Sequence, residues 1–453
     1  MSLNNIAQWA DGEVLRGLAA TEIDTVSTDS RALAPGSLFI ALRGEKFDGH
    51  DFIRKVAESG TASAALAEDI PDGLPERFGV IRVKDTLAGL QQMAACYRRT
   101  LTAKVINITG SNGKTSTKDF TAAVLAQRGR VKVNKTEGNL NNHIGLPLTI
   151  LRASAADEFG VFEIGMNHPG EIAPLARISQ PDAGVITNVG VAHIEHMGSA
   201  QAIAQEKGML AEAVGPEGFV VLAVDDAFTD SIAARTNARV IRAGLDHGDV
   251  FASDLVHDAD GSRFLAHARG RTVEGELSVP GRHMVQNAML AVAVGIEYGL
   301  SLENCLTGLR DAKLTKGRLE RKTVRGIAIL DDSYNANPDS MIAALQTLTG
   351  MPGRRIAVLG QMNELGAEAD ASHARVGQAA ARERIDILIT AGPIAAGIAE
   401  AAKSAGLDRS FPAADTQEAA AILRNVVRAG DSVLVKGSRS VKMETIIEEL
   451  ARP

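Results

Sequence analysis

The sequence predicts an α/β fold in three domains: a small α/β domain at the N-terminus, a central P-loop domain on a mainly parallel sheet, and a C-terminal Rossmann-like domain. Three observations predict it. The chain has 453 residues, beyond the size at which one hydrophobic core keeps growing, so roughly two to four domains are expected. Short apolar runs bounded by Gly, Pro, Asp or Asn alternate with stretches of helical periodicity, the pattern of sheets with crossover helices. A glycine-rich tract at residues 110–113 separates an apolar run from a helical one. The expected boundaries are 1–84, 85–313 and 314–453.

In the first domain, short apolar runs such as Ser37–Leu42 and Gly79–Val83 are separated by Gly, Pro and Asp turns, which reads as a small α/β domain. From Asp85 to Leu101 the apolar positions Leu87, Leu90, Met93, Ala94 and Tyr97 recur at helical spacing, and Asp85 is placed to cap the start. Lys104–Ile108 then reads as a buried strand, Thr109–Gly113 as a loop and Lys114–Ala126 as a helix. Val161–Ile164, Gly184–Thr187 and Phe219–Val224 read as further strands of a largely parallel sheet. In the last third, Arg355–Leu359, Asp386–Thr390 and Ser432–Val435 alternate with the alanine-rich helical stretches Ala371–Arg382 and Gln417–Arg428, which predicts the Rossmann-like domain.

Composition narrows the function. With 48 Lys+Arg against 55 Asp+Glu the formal charge is −7, so no global positive field gathers phosphates and no nucleic-acid partner is expected. The two cysteines, Cys96 and Cys305, stand far apart and suggest a reducing compartment, the cytoplasm, without a disulfide framework. Met1–Leu15 has no basic start before an apolar run, and Ile387–Ala402 is broken by Gly392, Pro393 and Gly397. Neither a signal peptide nor membrane insertion is expected.

The chemistry begins at Gly110-Ser111-Asn112-Gly113-Lys114-Thr115-Ser116. Between a strand and a helix, such a loop turns backbone N–H groups and the helix N-terminus on phosphate oxygens, its lysine adds a point charge and its threonine hydroxyl can ligate Mg²⁺. Ile108 stands where the first glycine of the usual motif would be. Metal-bound phosphates call for carboxylate or imidazole ligands on neighbouring strand ends, and Glu163 and His193 are placed for that, although each alone reads equally as structural. Asn134-Lys135-Thr136-Glu137 departs from the guanine-reading pattern at Glu137, so the nucleotide is read as ATP on an ATPase-like domain. His193-Ile194-Glu195 opens like a zinc deaminase signature, but the Cys-x-x-Cys which that signature requires is absent.

These tracts resemble the Mur ligases of bacterial cell-wall synthesis, and among them the dipeptide-adding members. The resemblance runs nearly end to end, through Ser27–Arg31, Phe39–Gly44, Asp48–His50, Gly110–Thr117, Gly138–Asn142, Glu163–Asn167, Asn188–Ser199, Gly281–His283 with Asn287, Asp331–Pro338, Gly360–Gly366 and Lys436–Ser440. It implies that the three domains bind a UDP-sugar peptide, ATP and an incoming dipeptide in that order, and that a carboxylate activated as an acyl phosphate is joined to an amine. The implied small-molecule partners are UDP-N-acetylmuramoyl-tripeptide and D-alanyl-D-alanine, with no oligomer required.

It further implies roles for individual residues. Lys114, Glu163, His193, Lys207 and Arg318 would be catalytic, and Thr115, Glu163, His193 and a carbamylated Lys207 would hold two Mg²⁺ ions. Asn287, Arg318 and Asp332 would join the loop in binding ATP, Arg318 and Asp332 as the domains close. Ser30, Arg31, Asn139, Asn142, Asn335, Asn337 and Ser438 would meet the other substrates. Read without the resemblance, Lys207 is an ordinary exposed helix lysine, Arg318 a surface charge, Asn287 a buried helix amide and Ser30 a turn residue.

Overall fold

The computed structural model describes residues 1–129, 131–258 and 260–452; Pro453, the last residue of the expected third domain, lies outside them. Strands β1 (Glu13–Arg16), β2 (Thr25–Ser27), β3 (Ser37–Ile40), β4 (Ala62–Ala67) and β5 (Gly79–Arg82) form one sheet in the order β1-β5-β4-β3-β2, parallel except for β1 against β5.

The second sheet contains β6 (Lys104–Thr109), β7 (Lys132–Lys135), β8 (Asp157–Glu163), β9 (Ala183–Ile186), β10 (Phe219–Ala223), β11 (Arg239–Leu245), β12 (Val250–Asp258), β13 (Gly261–Ala268) and β14 (Arg271–Leu277), in the order β14-β13-β12-β11-β10-β9-β6-β8-β7. The expected strands at 104–108, 161–164, 184–187 and 219–224 are β6, β8, β9 and β10. The antiparallel extension β12-β13-β14 was not read from the sequence.

The third sheet is β15 (Glu320–Val324), β16 (Ile327–Asp332), β17 (Arg355–Gly360), β18 (Ile387–Ala391), β19 (Ser410–Ala413) and β20 (Ser432–Lys436), in the order β15-β16-β20-β17-β18-β19. Only β15 runs antiparallel. Its core of Ile329, Ile356, Val358, Ile389 and Val433 is fully buried, as both-face coverage by helices demands. The α/β class and the mainly parallel sheets are therefore as expected.

By packing, the chain divides into two compact units. The first is Met1–Asn107, Lys132–Met166 and Glu171–Ala183; the second is Ile108–Val131, Asn167–Gly170 and Gly184–Pro453. In the first, the helix Thr86–Thr100 is capped by Asp85, whose side chain accepts from the Ala88 amide. Its buried Arg98 donates to Ser179 O, 3.0 Å, and to Asp182 Oδ2, 3.1 Å.

In the second unit, the helix after the phosphate loop, Lys114–Leu125, is buried along most of its length. It packs against Arg282–Glu297 and Leu302–Arg310 through glycines. A Cβ at Gly308 would lie 2.7 Å from Ala123 O and from Val124 Cα, and one at Gly295 would lie 2.7 Å from Cys305 Sγ. Burial pushes the Cys305 thiol up to about 12, so it packs as an apolar group. Among the described residues no helix is long and apolar enough to cross a membrane.

Because the Gly308 contact is with backbone, which cannot rotate away, Gly308→Ala is expected to destabilise the second unit by roughly 1–3 kcal/mol. Urea unfolding followed by circular dichroism checks this, as a lowered midpoint at unchanged slope.

Candidate active site

The loop between β6 and the helix Lys114–Leu125 is fixed from behind by the tract after β9. Ser111 N donates to Asn188 O, 3.0 Å. Asn112 N donates to Asn188 Oδ1, 2.9 Å, Gly190 N to Ser111 Oγ, 2.8 Å, and Thr187 Oγ1 to Asn112 O, 2.5 Å. Both glycines are required. Gly110 and Gly113 have φ of 152° and 79°, and a Cβ on either would run into Thr187 Oγ1 or the Asn287 amide respectively. Ile108, in place of the motif's first glycine, is a fully buried strand residue because the chain stays in β6 until Thr109.

Lys114 begins the helix, and its Nζ donates to Gly110 O, 2.7 Å, and Ser111 O, 3.4 Å, so the charge lies over the loop. Asn287 is buried against Gly113, beside the loop.

The connection leading into β15 docks on the same helix at two points one turn apart. Asp119 Oδ2 accepts from Thr315 N, 2.9 Å, and from Thr315 Oγ1, 2.8 Å. Three residues on, Arg318 Nη2 donates to Thr115 Oγ1, 3.3 Å, while its guanidinium carbon sits 4.3 Å from the Tyr334 ring centroid. Arg318 Nε is buried with no hydrogen-bond partner among the described residues. The surface-charge reading of Arg318 is thereby corrected: it is a half-buried donor aimed at the loop's threonine.

Residues from the third sheet also reach the loop. Asn337 Nδ2 donates to Asn112 Oδ1, 2.7 Å, while Asn337 also caps the helix Pro338–Thr349. Asp332 accepts from Leu319 N, 3.2 Å, and from the buried Lys436 Nζ, 2.5 Å, which also donates to Asn335 O, 2.9 Å. Desolvation pushes the Lys436 ammonium below the ordinary lysine value, opposed by the Asp332 charge. Ser438 is buried and clasps the loop after β17, its Oγ accepting from Asn363 N, 2.9 Å.

Lys207, on the helix Ala200–Ala213, is 2% exposed, which corrects its reading as an exposed lysine. Burial holds its ammonium well below the ordinary range; the Lys114 charge adds to this and Glu206 opposes it. His193 lies in the left-handed region at φ 61° at the head of Ile194–Met197, and its Nδ1 is 2.5 Å from Glu364 Oε2. That hydrogen bond holds the Glu364 carboxyl below its usual range.

The remaining candidates lie in the first unit. Glu163 is buried at the end of β8, its Oε1 accepting from Asn141 Nδ2, 2.8 Å, and its N–H bound to Thr136 Oγ1, 2.9 Å. Asn134–Glu137 thus serves as strand support for Glu163. Asn142 Oδ1 accepts from Gly145 N, 2.9 Å, a helix-start role, and Asn139 is exposed. Ser30 is half-buried, and Arg31 is exposed and paired with Asp29 at 2.8 Å. Sequence reasoning missed Asn141, Asp119, Thr315, Asn188 and Glu364; Asn141, Asn188 and Glu364 lay inside tracts already singled out.

Three family models match the chain: "Mur ligase family, catalytic domain" over residues 22–98, "Mur ligase middle domain" over 108–295 and "Mur ligase, glutamate ligase domain" over 317–439. The UDP-N-acetylmuramoyl-tripeptide--D-alanyl-D-alanine ligase of Bacillus subtilis (strain 168) is 37% identical over 456 aligned positions, covering 99% of this chain and 98% of that one. Among solved structures, MurF from Acinetobacter baumannii matches with a TM-score of 0.91 at 32% identity, covering 99% of this chain and 98% of that chain. The MurF ligase from Thermotoga maritima in complex with ADP matches at a TM-score of 0.83 and 28% identity, over 95% of this chain and 97% of that chain.

The Thr315 hydroxyl donates to the buried Asp119 carboxylate, so Thr315→Val is expected to cost about 1–2 kcal/mol of stability and to loosen Arg318. A lowered thermal midpoint together with weaker ADP binding by calorimetry checks both halves; unchanged ADP affinity would separate the two docking points.

Proposed function

The chain belongs to the Mur ligase family, and we propose that it joins D-alanyl-D-alanine to UDP-N-acetylmuramoyl-tripeptide at the expense of ATP, releasing ADP and phosphate, in the cytoplasm. The observation that carries this reading is the convergence on one helix start of a glycine-built phosphate loop, Lys114, Thr115 and Arg318, alongside a buried, charge-disfavoured Lys207. Residues 1–84 would bind the UDP-sugar peptide, 85–313 ATP and 314–453 the dipeptide.

A carboxylate is a poor electrophile, so it must be activated before an amine can attack it. In the first step an oxygen of the tripeptide's terminal carboxylate attacks the γ-phosphorus of ATP, the bond to the β-phosphate oxygen breaks and ADP leaves, giving an acyl phosphate. In the second, the dipeptide's free amine attacks the acyl carbon, a proton passes to solvent, and phosphate departs from the tetrahedral adduct. Two anions must meet in the first step, so catalysis is positioning and charge neutralisation.

The backbone N–H groups of residues 110–115 and Lys114 bind the β- and γ-phosphates. Arg318, with a buried unpartnered Nε beside its bond to Thr115, supplies further donors to the transferring group. Asn287, beside Gly113, is assigned to the adenine, and Asp332 and Lys436 fix the Asn335–Asn337 turn that meets the loop at Asn112. Asn139, Asn142, Ser30 and Arg31 are assigned to the UDP-sugar peptide, and Ser438 to the dipeptide.

By donor chemistry Thr115 Oγ1, the Glu163 carboxylate, His193 and a carbamate on Lys207 would be the ligands of two magnesium ions, the mixed, oxygen-rich donor set a hard cation takes; among the described residues no three His, Cys, Asp or Glu side chains already converge as a metal site. When bound, the metal neutralises charge on the β- and γ-phosphates. The carbamate requires a neutral amine, which attacks CO₂ and loses a proton. Burial of Lys207 and the neighbouring Lys114 charge favour that neutral form.

A coupled phosphate-release assay with each candidate tripeptide, and D-alanyl-D-alanine, D-alanine or neither as acceptor, tests the reaction. Turnover is expected only with the dipeptide, and Lys114→Ala is expected to lower kcat at least about 100-fold. Product formation by that variant at the wild-type rate would overturn the phosphate-loop assignment.

Carbamylation has its own readout. Enzyme equilibrated with ¹³C-bicarbonate is expected to give a carbamate carbon signal that vanishes in Lys207→Ala, whose lost turnover is partly restored by short carboxylic acids. A signal that persists in the variant would place the carbamate elsewhere.

A further inference from the structure

His193 and Glu364 are separated by 171 positions in sequence, yet the His193 Nδ1 to Glu364 Oε2 distance is 2.5 Å. Glu364 comes from the loop between β17 and the helix Ala369–Arg382, whereas His193 follows β9 of the second sheet. The His193 side chain is 19% exposed and that of Glu364 46%, yet the contact is anchored through the backbone. Both residues are in the left-handed backbone region, each at φ 61°, which side chains other than glycine occupy only at some energetic cost.

The backbones are joined too, Glu195 N donating to Glu364 O at 3.4 Å. The loop around Glu364 is held from its own side by Met362 N on His373 Nε2, 3.0 Å, and Asn363 Nδ2 on Ser440 Oγ, 2.7 Å. A Cβ added at Gly366 would press on the Glu195 side chain at 3.1 Å, so the two segments are closely apposed. Strain carried by both members of one contact points to a function for it.

We propose that Glu364 is the positioning residue of His193: its carboxylate accepts a hydrogen bond from Nδ1–H, so the ring presents Nε2 as the ligating atom for the nucleotide's divalent cation. This rests on the proposed reading of His193 as a metal ligand. A metal-bound imidazole is ordinarily oriented in this way by a carboxylate on its other nitrogen, and loss of such a partner weakens metal binding about 10- to 100-fold. Because Glu364 is supplied by the third sheet's loop, cation affinity depends on that loop being docked on the tract after β9. The energy that holds the loop down is thus shared with metal binding.

The test uses full-length protein with ADP and Mn²⁺, free Mn²⁺ being read by electron paramagnetic resonance. Glu364→Ala is expected to weaken Mn²⁺ binding about 10- to 100-fold, whereas Glu364→Gln, whose amide oxygen still accepts from Nδ1, stays within a few-fold of wild type. In ¹⁵N-histidine spectra, His193 of the wild type is expected to show a protonated Nδ1 and an unprotonated Nε2, a signature lost in Glu364→Ala and kept in Glu364→Gln. Wild-type Mn²⁺ affinity in Glu364→Ala, or equal loss in both variants, overturns the proposal. His193→Ala separates the two levels. If it leaves Mn²⁺ affinity unchanged, the metal-ligand reading fails and this inference with it; if it weakens binding while Glu364→Ala does not, only the inference fails.

Discussion

In the proposed reaction an anionic phosphoryl donor must be brought up to an anionic carboxylate, a task that would fall on the first turn of one buried helix. Lys114–Leu125 cannot shift to suit a ligand, because Gly308 and Gly295 let two other helices close on its backbone and side chains. Its N-terminus therefore offers a fixed set of amides and a fixed positive end to the phosphates. The same helix carries Thr115 and Asp119 four residues apart on one face, where residues 315 and 318 dock. The proposed phosphate site and the attachment of the following sheet thus share one element.

That economy has an electrostatic consequence. Lys114, Arg318, Lys207 and Lys436 all belong to the second unit, and two of them, Lys207 and Lys436, are buried. Lys436 keeps a carboxylate partner in Asp332 at 2.5 Å, which offsets its desolvation. For Lys207 burial and Lys114 act in the same direction and Glu206 alone opposes them. Both amines are thus held below the ordinary lysine range, Lys207 well below it, while at Lys436 the hydrogen-bonded Asp332 opposes the shift. The difference lies in which charges face each amine, not in residue type.

How much of this was legible in the sequence follows from what is local. The strand, loop and helix around Lys114 could be read because apolar run, glycine pair and helical periodicity are contiguous. Most buried parallel strands could be read for the same reason. The hairpin strands β12–β14 could not: β12 alternates weakly, and its register shifts between Ser253 and Val256, next to the left-handed Asp254, which breaks a period-two pattern. Lys207 sits in a polar-looking Gln205-Glu206-Lys207-Gly208 stretch, and only tertiary packing buries it. The pairs Asp119–Thr315 and His193–Glu364 are separated by 196 and 171 positions, and no local pattern encodes a partner at that distance.

These long-range pairs share one logic. Thr315, Asn337 and Glu364 come from the segment before β15, the turn after β16 and the loop after β17, yet each meets a residue of the nucleotide-side framework: Asp119, Asn112 and His193. A single such bond contributes on the order of 1 kcal/mol net, too little to hold a domain by itself. Where such bonds share one rigid framework, a ligand that strengthens one of them favours the others. The acyl phosphate that the proposed reaction makes is lost to water unless the amine is already beside it. Under the proposed assignment of residues 314–453 to the acceptor, docking residues that are partners of the phosphate loop's framework would tie arrival of the acceptor to presence of the activated donor.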